Sequence, residues 1–202
     1  MIKNLIFDFG KVLVDYDFDK YLYAFIDNPE TRAAVREITG NQDFIERCDK
    51  GEDTFEEIVA EMKAKYPEWE REFQLFYDRQ LAAVTDEVVG MRTLLQKLKT
   101  EGYALYGLTN WSNTVYPVME KFSIFRLLDG QLISSEEKLV KPDLAIYWRL
   151  CEKFGLQPDT CLFTDDKMVN VEGALKAGMH AIHFIDTAQF ERELRALLCS
   201  QS

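Results

Sequence analysis

Short, nearly unbroken apolar runs recur along the chain at Ile2–Phe7, Tyr103–Leu108, Gln131–Ser134, Thr160–Thr164 and Ala181–Ile185. Their brevity and their content of β-branched and aromatic residues predict strands buried on both faces. Between the later runs the apolar positions return at helical spacing. This predicts helices over Glu87–Thr100, Ser112–Phe122, Leu144–Phe154 and Asn170–Ala177, the last stopped by Gly178, and an amphipathic closing helix over Gln189–Leu198. Strands that alternate with helices imply an α/β fold, a Rossmann-like parallel sheet with right-handed crossovers.

One stretch breaks this rhythm. From about Phe18 to Val84 the pattern contains no strand, only amphipathic helical segments rich in Glu, Lys, Arg, Phe and Tyr, with breaks expected at Asn28-Pro29, Gly40-Asn41, Gly51 and Pro67. The division expected is therefore a core made of residues 1–16 and 85–202, with a helical insertion over 17–84.

Composition narrows the class. In 202 residues, 47% are hydrophobic and 29% charged, which fits a globular chain. No apolar run is long enough to cross a bilayer. The formal charge of −11 opposes nonspecific attraction to nucleic acid or to an anionic membrane surface, so neither is expected as a partner. Cys48, Cys151, Cys161 and Cys199 are scattered without a CxxC pair or metal-ligand spacing, and are read as reduced, at least partly buried thiols. The N-terminus, MIKNLIFDFG, runs directly into a strand without the features of a signal peptide, so a cytoplasmic location is expected.

In an open parallel sheet, ligands bind beyond the carboxyl ends of the strands. The first strand ends in FDFGKVLVDYD, with Asp8 at its tip and Gly10 two residues on. The second core strand ends in YGLTN, presenting Thr109 and Asn110, whose hydroxyl and amide groups suit phosphate oxygens. EEKLVKPDLAIY supplies Lys141 before a helix start, and CLFTDDKMVN presents Asp165 and Asp166 side by side. Adjacent carboxylates repel unless a cation lies between them. Each feature alone has a structural explanation as a turn, a cap or a solvated charge; their order at successive strand ends is what points to chemistry. His180 and His183 flank the last strand with no acidic partner at ligand spacing and are read as non-catalytic.

This order resembles the haloacid dehalogenase superfamily, whose four short motifs correspond to Asp8–Val12, Thr109-Asn110, Lys141-Pro142 and Thr164–Asn170. Residues Phe18–Val84 would then be the helical cap that many members insert after the first strand. The resemblance implies a Mg²⁺-dependent phosphatase acting on a small phosphorylated metabolite. Asp8 would be the nucleophile that forms an aspartyl-phosphate. Thr109 and Asn110 would hold the phosphoryl group, and Lys141 would neutralise charge between nucleophile and phosphate. Asp8, Asp166 and the carbonyl of Gly10 would ligate Mg²⁺, with Asp165 as a further or water-mediated ligand and Asn170 as support.

One position departs from the family pattern. Most phosphatases of the superfamily carry Asp-x-Asp in the first motif, the second Asp acting as general acid and base; here that position is Gly10. The sequence FDFGKVLVDYD is similar to a bacterial subgroup written FDxGxVxVDxD, which includes phosphatases of sugar 1-phosphates such as glucose 1-phosphate. A proton donor from elsewhere is one resolution, with Asp15, Asp17 and Asp49 as candidates. A 2-haloacid dehalogenase, which also lacks the second Asp but needs no metal, is an alternative that the Asp165-Asp166 pair opposes. A non-enzymatic binding protein of the same fold is another. The segment FIERCDKGEDTFEEI places Asp49 and Lys50 in a cap loop where they would meet the leaving group.

Overall fold

The computed structural model describes residues 1–200, with the side chain of Ser200 left out. Strand β1 (Asn4–Phe7) is followed by a short strand β2 (Val14–Tyr16). Five helices come next: α1 (Phe18–Tyr23), α2 (Pro29–Thr39), α3 (Gln42–Lys50), α4 (Phe55–Lys65) and α5 (Glu70–Asp78). The chain then returns through β3 (Val84–Glu87), α6 (Met91–Thr100), β4 (Ala104–Thr109), α7 (Val115–Lys121), β5 (Gly130–Ile133) and α8 (Ser134–Glu137). It finishes with α9 (Leu144–Phe154), β6 (Cys161–Asp165), α10 (Met168–Lys176), β7 (His180–His183) and α11 (Thr187–Ser200).

Five strands form one sheet in the order β5-β4-β1-β6-β7, and every neighbouring pair is parallel. Side chains alternate across a strand, and β1 shows the consequence. Leu5 and Phe7 enter a core beneath α6, α7 and α11 with Leu95, Val115 and Phe190, whereas Ile6 enters the opposite core beneath α9 and α10 with Ile146, Phe163 and Ala174. All three β1 residues are fully buried, which is why the strand reads as a continuous apolar run.

The insertion has a core of its own. Tyr21, Leu22, Phe25, Val35, Phe55, Ile58, Phe73 and Phe76 pack together there. Its helices break where turn residues stand: Asn28 caps α2 with Pro29 in the first turn, Asn41 caps α3, and Thr54 with Glu57 forms a capping box for α4.

Three expectations need correction. The insertion is joined to the core by an antiparallel ribbon of β2 and β3 that the pattern did not announce, because VDY and VTDE are too short and acidic to show alternation. The helix expected from Glu87 starts at Met91, after the strand that ends at Glu87. Cys199 is exposed, while the other three free thiols are buried. No helix among the described residues is long and apolar enough to cross a membrane.

Candidate active site

Because the sheet is parallel throughout, the carboxyl ends of its strands share one edge, and that edge collects the polar residues singled out above. Asp8 follows β1 directly, Thr109 ends β4 and Asp165 ends β6 with Asp166 next to it. Lys141 arrives from the connection between α8 and α9. Its ammonium lies 2.8 Å from Asp8 Oδ1 and 2.6 Å from Asp165 Oδ2, and it also donates to the carbonyl of Leu108 at 3.0 Å. The Lys141 side chain is only 1% exposed. A buried cation of this kind is tolerated when its charge is paired and its protons are bound.

Burial dominates the electrostatics. It pushes the Asp8 carboxyl up to about 6, against the lowering effect of Lys141 and with a further rise from Asp165. Burial alone would lower the Lys141 ammonium; the charges of Asp8 and Asp165 outweigh it and hold Lys141 above the ordinary lysine value. Asp166 is also raised, by burial and by the neighbouring Asp165. The edge thus places one lysine among three carboxyl groups, and oxygens of Asp8, Asp165 and Asp166 lie within 4.8 Å of one another. Hard oxygen donors grouped so closely suit a divalent cation such as Mg²⁺, and of the three carboxyls those of Asp8 and Asp166 are the ones left to face it.

The four acidic and basic residues do not have equal freedom. Asp165 Oδ1 accepts from the Lys167 backbone N–H at 2.8 Å and from Asn170 Nδ2 at 3.1 Å, while Oδ2 accepts from Lys141 and from Asn170 at 3.0 Å. Each of its oxygens already has two donors. Asn170 is itself seated by Tyr147, whose hydroxyl donates to the Asn170 carbonyl at 2.8 Å. The carboxamide of Asn110 bonds the backbone of Lys141 at both ends, so this side chain is engaged in holding the lysine rather than standing free toward a phosphate. Thr109 is buried at the same edge.

Gly10 occupies a tight place. A Cβ built there would stand 2.9 Å from Cε1 of Tyr16, so the tyrosine ring fills the space a longer side chain would need. The next residue, Lys11, takes a positive φ of 62° and donates to Asp15 and to the carbonyl of Tyr16.

Across the edge lies the end of α3. Ser134, at the junction of β5 and α8, donates its hydroxyl to the carbonyl of Asp49 and accepts the backbone N–H of Trp111 at 3.0 Å. Gly51 then turns with φ 65° directly against Ser135, where a Cβ would come within 2.5 Å of Ser135 Cβ. The backbone of Asp49 is thus tied to the core and its side chain is half-buried, whereas Lys50 pairs with Glu52 at 2.8 Å and stays 44% exposed at its side chain. Ser134 and Tyr16 are neighbours of the site that the sequence pattern does not mark. Ser134 is findable in the sequence, since it directly follows β5, the edge strand whose carboxyl end lies on the same side of the sheet. His183, at the end of β7, donates from Nε2 to the carbonyl of Asp166 at 2.9 Å, a contact set by the parallel pairing of β6 with β7.

A sesquiterpene phosphatase of Aspergillus oryzae is 33% identical over 109 residues, covering 54% of this chain and 56% of that protein. A D-ribitol-5-phosphate phosphatase of Bacteroides thetaiotaomicron is 25% identical over 214 residues and covers 99% of this chain and 100% of its own length. The chain spans about half the length of the other curated phosphatases it matches. A HAD family enzyme of Bacteroides thetaiotaomicron, solved in complex with magnesium and inorganic phosphate, superposes with a TM-score of 0.73 at 22% identity, covering 93% of this chain and 96% of that one; this likeness speaks for the fold. The sequence model described as haloacid dehalogenase-like hydrolase matches residues 2–178, so the chain belongs to the haloacid dehalogenase-like hydrolases.

Proposed function

We propose that this hydrolase is a Mg²⁺-dependent phosphatase of small phosphomonoesters, a sugar or polyol phosphate being the substrate class, working through an aspartyl-phosphate on Asp8. The observation that carries the reading is the Asp8 carboxylate at the β1 tip, 2.8 Å from a buried lysine and grouped with two further carboxylates. A dehalogenase has no use for that acidic group, and the full-length kinship with a polyol-phosphate phosphatase favours the same substrate class.

Asp8, Asp166 and the carbonyl of Gly10 would hold Mg²⁺, which when bound offsets negative charge between nucleophile and phosphate. Asp165 serves instead as the positioning residue for Lys141, since its oxygens are already saturated. Lys141, whose ammonium already touches Asp8, stabilises the charge that builds on the phosphoryl oxygens during attack. Thr109, with backbone N–H groups beyond β4, binds the phosphoryl group, and Asn110 keeps Lys141 in register. The helical insertion acts as a cap that covers the leaving group and excludes water.

The test is phosphate release from a panel of sugar and polyol phosphates, with Mg²⁺ or with EDTA, by wild type and Asp8→Asn. The expected result is metal-dependent turnover that falls by more than about 10³-fold in the variant. Halide release from 2-haloacids in EDTA, or unchanged turnover in Asp8→Asn, would overturn the reading.

A further inference from the structure

Among the described residues, the core of this site has a nucleophile and a lysine but no free acid to protonate the leaving oxygen. Gly10 holds the position where related phosphatases carry that acid, and the ring of Tyr16 fills the adjoining space. Of the remaining acidic groups, Asp165 is saturated by Lys141, Lys167 and Asn170. Asp166 belongs to the cation-facing group. Asp15 is exposed and bound by Lys11, which holds its carboxyl below the usual range. Asp17 is spent as the cap of α1, accepting the Lys20 N–H at 2.8 Å.

We infer that Asp49, supplied by the helical insertion at the end of α3, is the proton donor to the leaving oxygen and the base for the hydrolytic water, in place of the acid missing at Gly10. The inference rests on the phosphatase reading above.

Three observations support it. The end of α3 is fixed to the core and not merely near it: Ser134 donates to the Asp49 carbonyl, and Gly51 packs against Ser135 with no room for a side chain. Second, beside the larger effect of burial, the charges of Lys167 and Lys141 lower the Asp49 carboxyl and those of Asp8 and Glu46 raise it, and it also acts on the Tyr16 hydroxyl. Of these, Lys141 and Asp8 are the reacting pair itself. Third, burial pushes Asp49 up to about 7, so near neutral pH both its acid and its base forms are populated, the condition under which a general acid–base works best. Tyr16, the other hydroxyl beside Gly10, is pushed up to about 12 by burial and by the carboxylates around it, which makes it a poor donor.

The steps balance without a further reagent. An Asp8 oxygen attacks phosphorus, the ester P–O bond breaks with its electron pair going to the leaving oxygen, and that oxygen takes the proton from Asp49. The Asp49 carboxylate then takes a proton from water as the water oxygen attacks phosphorus. The bond between phosphorus and Asp8 breaks, inorganic phosphate leaves and Asp49 is again protonated.

The two steps give a specific signature. An aryl phosphate has a leaving group that needs no proton, whereas an alkyl phosphate needs one. With Mg²⁺, Asp49→Asn should release about one equivalent of phenolate per site from p-nitrophenyl phosphate in a burst, then turn over slowly with the phosphoryl group trapped on Asp8. On a polyol phosphate the same variant should lose about 10²–10⁴-fold in kcat without a burst. Formate added to Asp49→Ala should restore part of the slow phase, and thermal unfolding identifies a variant that has failed to fold. Turnover of the polyol phosphate by Asp49→Asn within a few-fold of wild type overturns the inference, as does equal loss on both substrates without a burst in a variant that unfolds like wild type. A burst in Tyr16→Phe instead of Asp49→Asn assigns the proton to tyrosine and also overturns it. If wild type hydrolyses neither ester, the phosphatase reading falls and this inference with it; if wild type is active, Asp8→Asn is dead and Asp49→Asn is unaffected, only this inference falls.

Discussion

The carboxamide of Asn110 closes a two-point hydrogen-bonded ring on the backbone of Lys141: Nδ2 donates to the Lys141 carbonyl at 3.0 Å, and Oδ1 accepts the Lys141 N–H at 2.8 Å. A residue at the end of β4 thereby sets the height from which the lysine reaches Asp8 and Asp165. Neither partner could be replaced by water without loosening the lysine backbone.

Asn110→Ala should therefore lower stability by about 1–3 kcal/mol, the worth of two partly buried hydrogen bonds, as measured by urea unfolding. With the lysine less well placed, kcat should fall more than KM rises. A change confined to KM would show that Asn110 contacts substrate instead.

Lys141→Met removes the cation shared by two carboxylates and leaves both buried. The expected loss is about 3–5 kcal/mol near pH 7. It should shrink toward pH 5, where the unpaired carboxylates take up protons. Chemical denaturation at the two pH values measures both figures.

Asp8 has an unusual linkage between pH and stability. Its folded value is raised to about 6 from 3.8, so the folded protein binds this proton more tightly than the unfolded chain does. The group's contribution to stability is largest below about pH 4 and is lost as pH rises through about 6, opposite in sign to an ordinary ion-paired aspartate. The stability of wild type relative to Asp8→Asn should accordingly decline across that window in metal-free protein. Added Mg²⁺ should raise Tm more at pH 7 than at pH 5, because its ligands must be ionised. A wild-type-minus-variant difference that is flat with pH would contradict the raised value.

Restoring the family's second aspartate should not be neutral. In Gly10→Asp the new Cβ meets the Tyr16 ring at 2.9 Å, which predicts destabilisation of about 1–3 kcal/mol. Tyr16→Ala should relieve it, giving a favourable coupling of about 0.5–3 kcal/mol in a double-mutant cycle. Strictly additive effects would mean that the ring moves aside without cost.

What the chain's order alone determined was the sheet, the insertion and the identity of the residues at the strand tips. Leu5, Ile6 and Phe7 are apolar in succession because a central parallel strand is covered on both faces, and that pattern is local. Asp8, Thr109, Lys141 and Asp165-Asp166 were legible for a related reason: each lies beside an element whose end the local pattern marks. Tertiary structure decided which of them are engaged with one another. That Asn110 and Asp165 hold Lys141, that the Tyr16 ring crowds Gly10, and that Asp49 is fastened over the edge by Ser134 all join residues far apart in sequence. Burial and charge act through space, so the raised carboxyls of Asp8 and Asp49 exist only once three segments have been packed against one another.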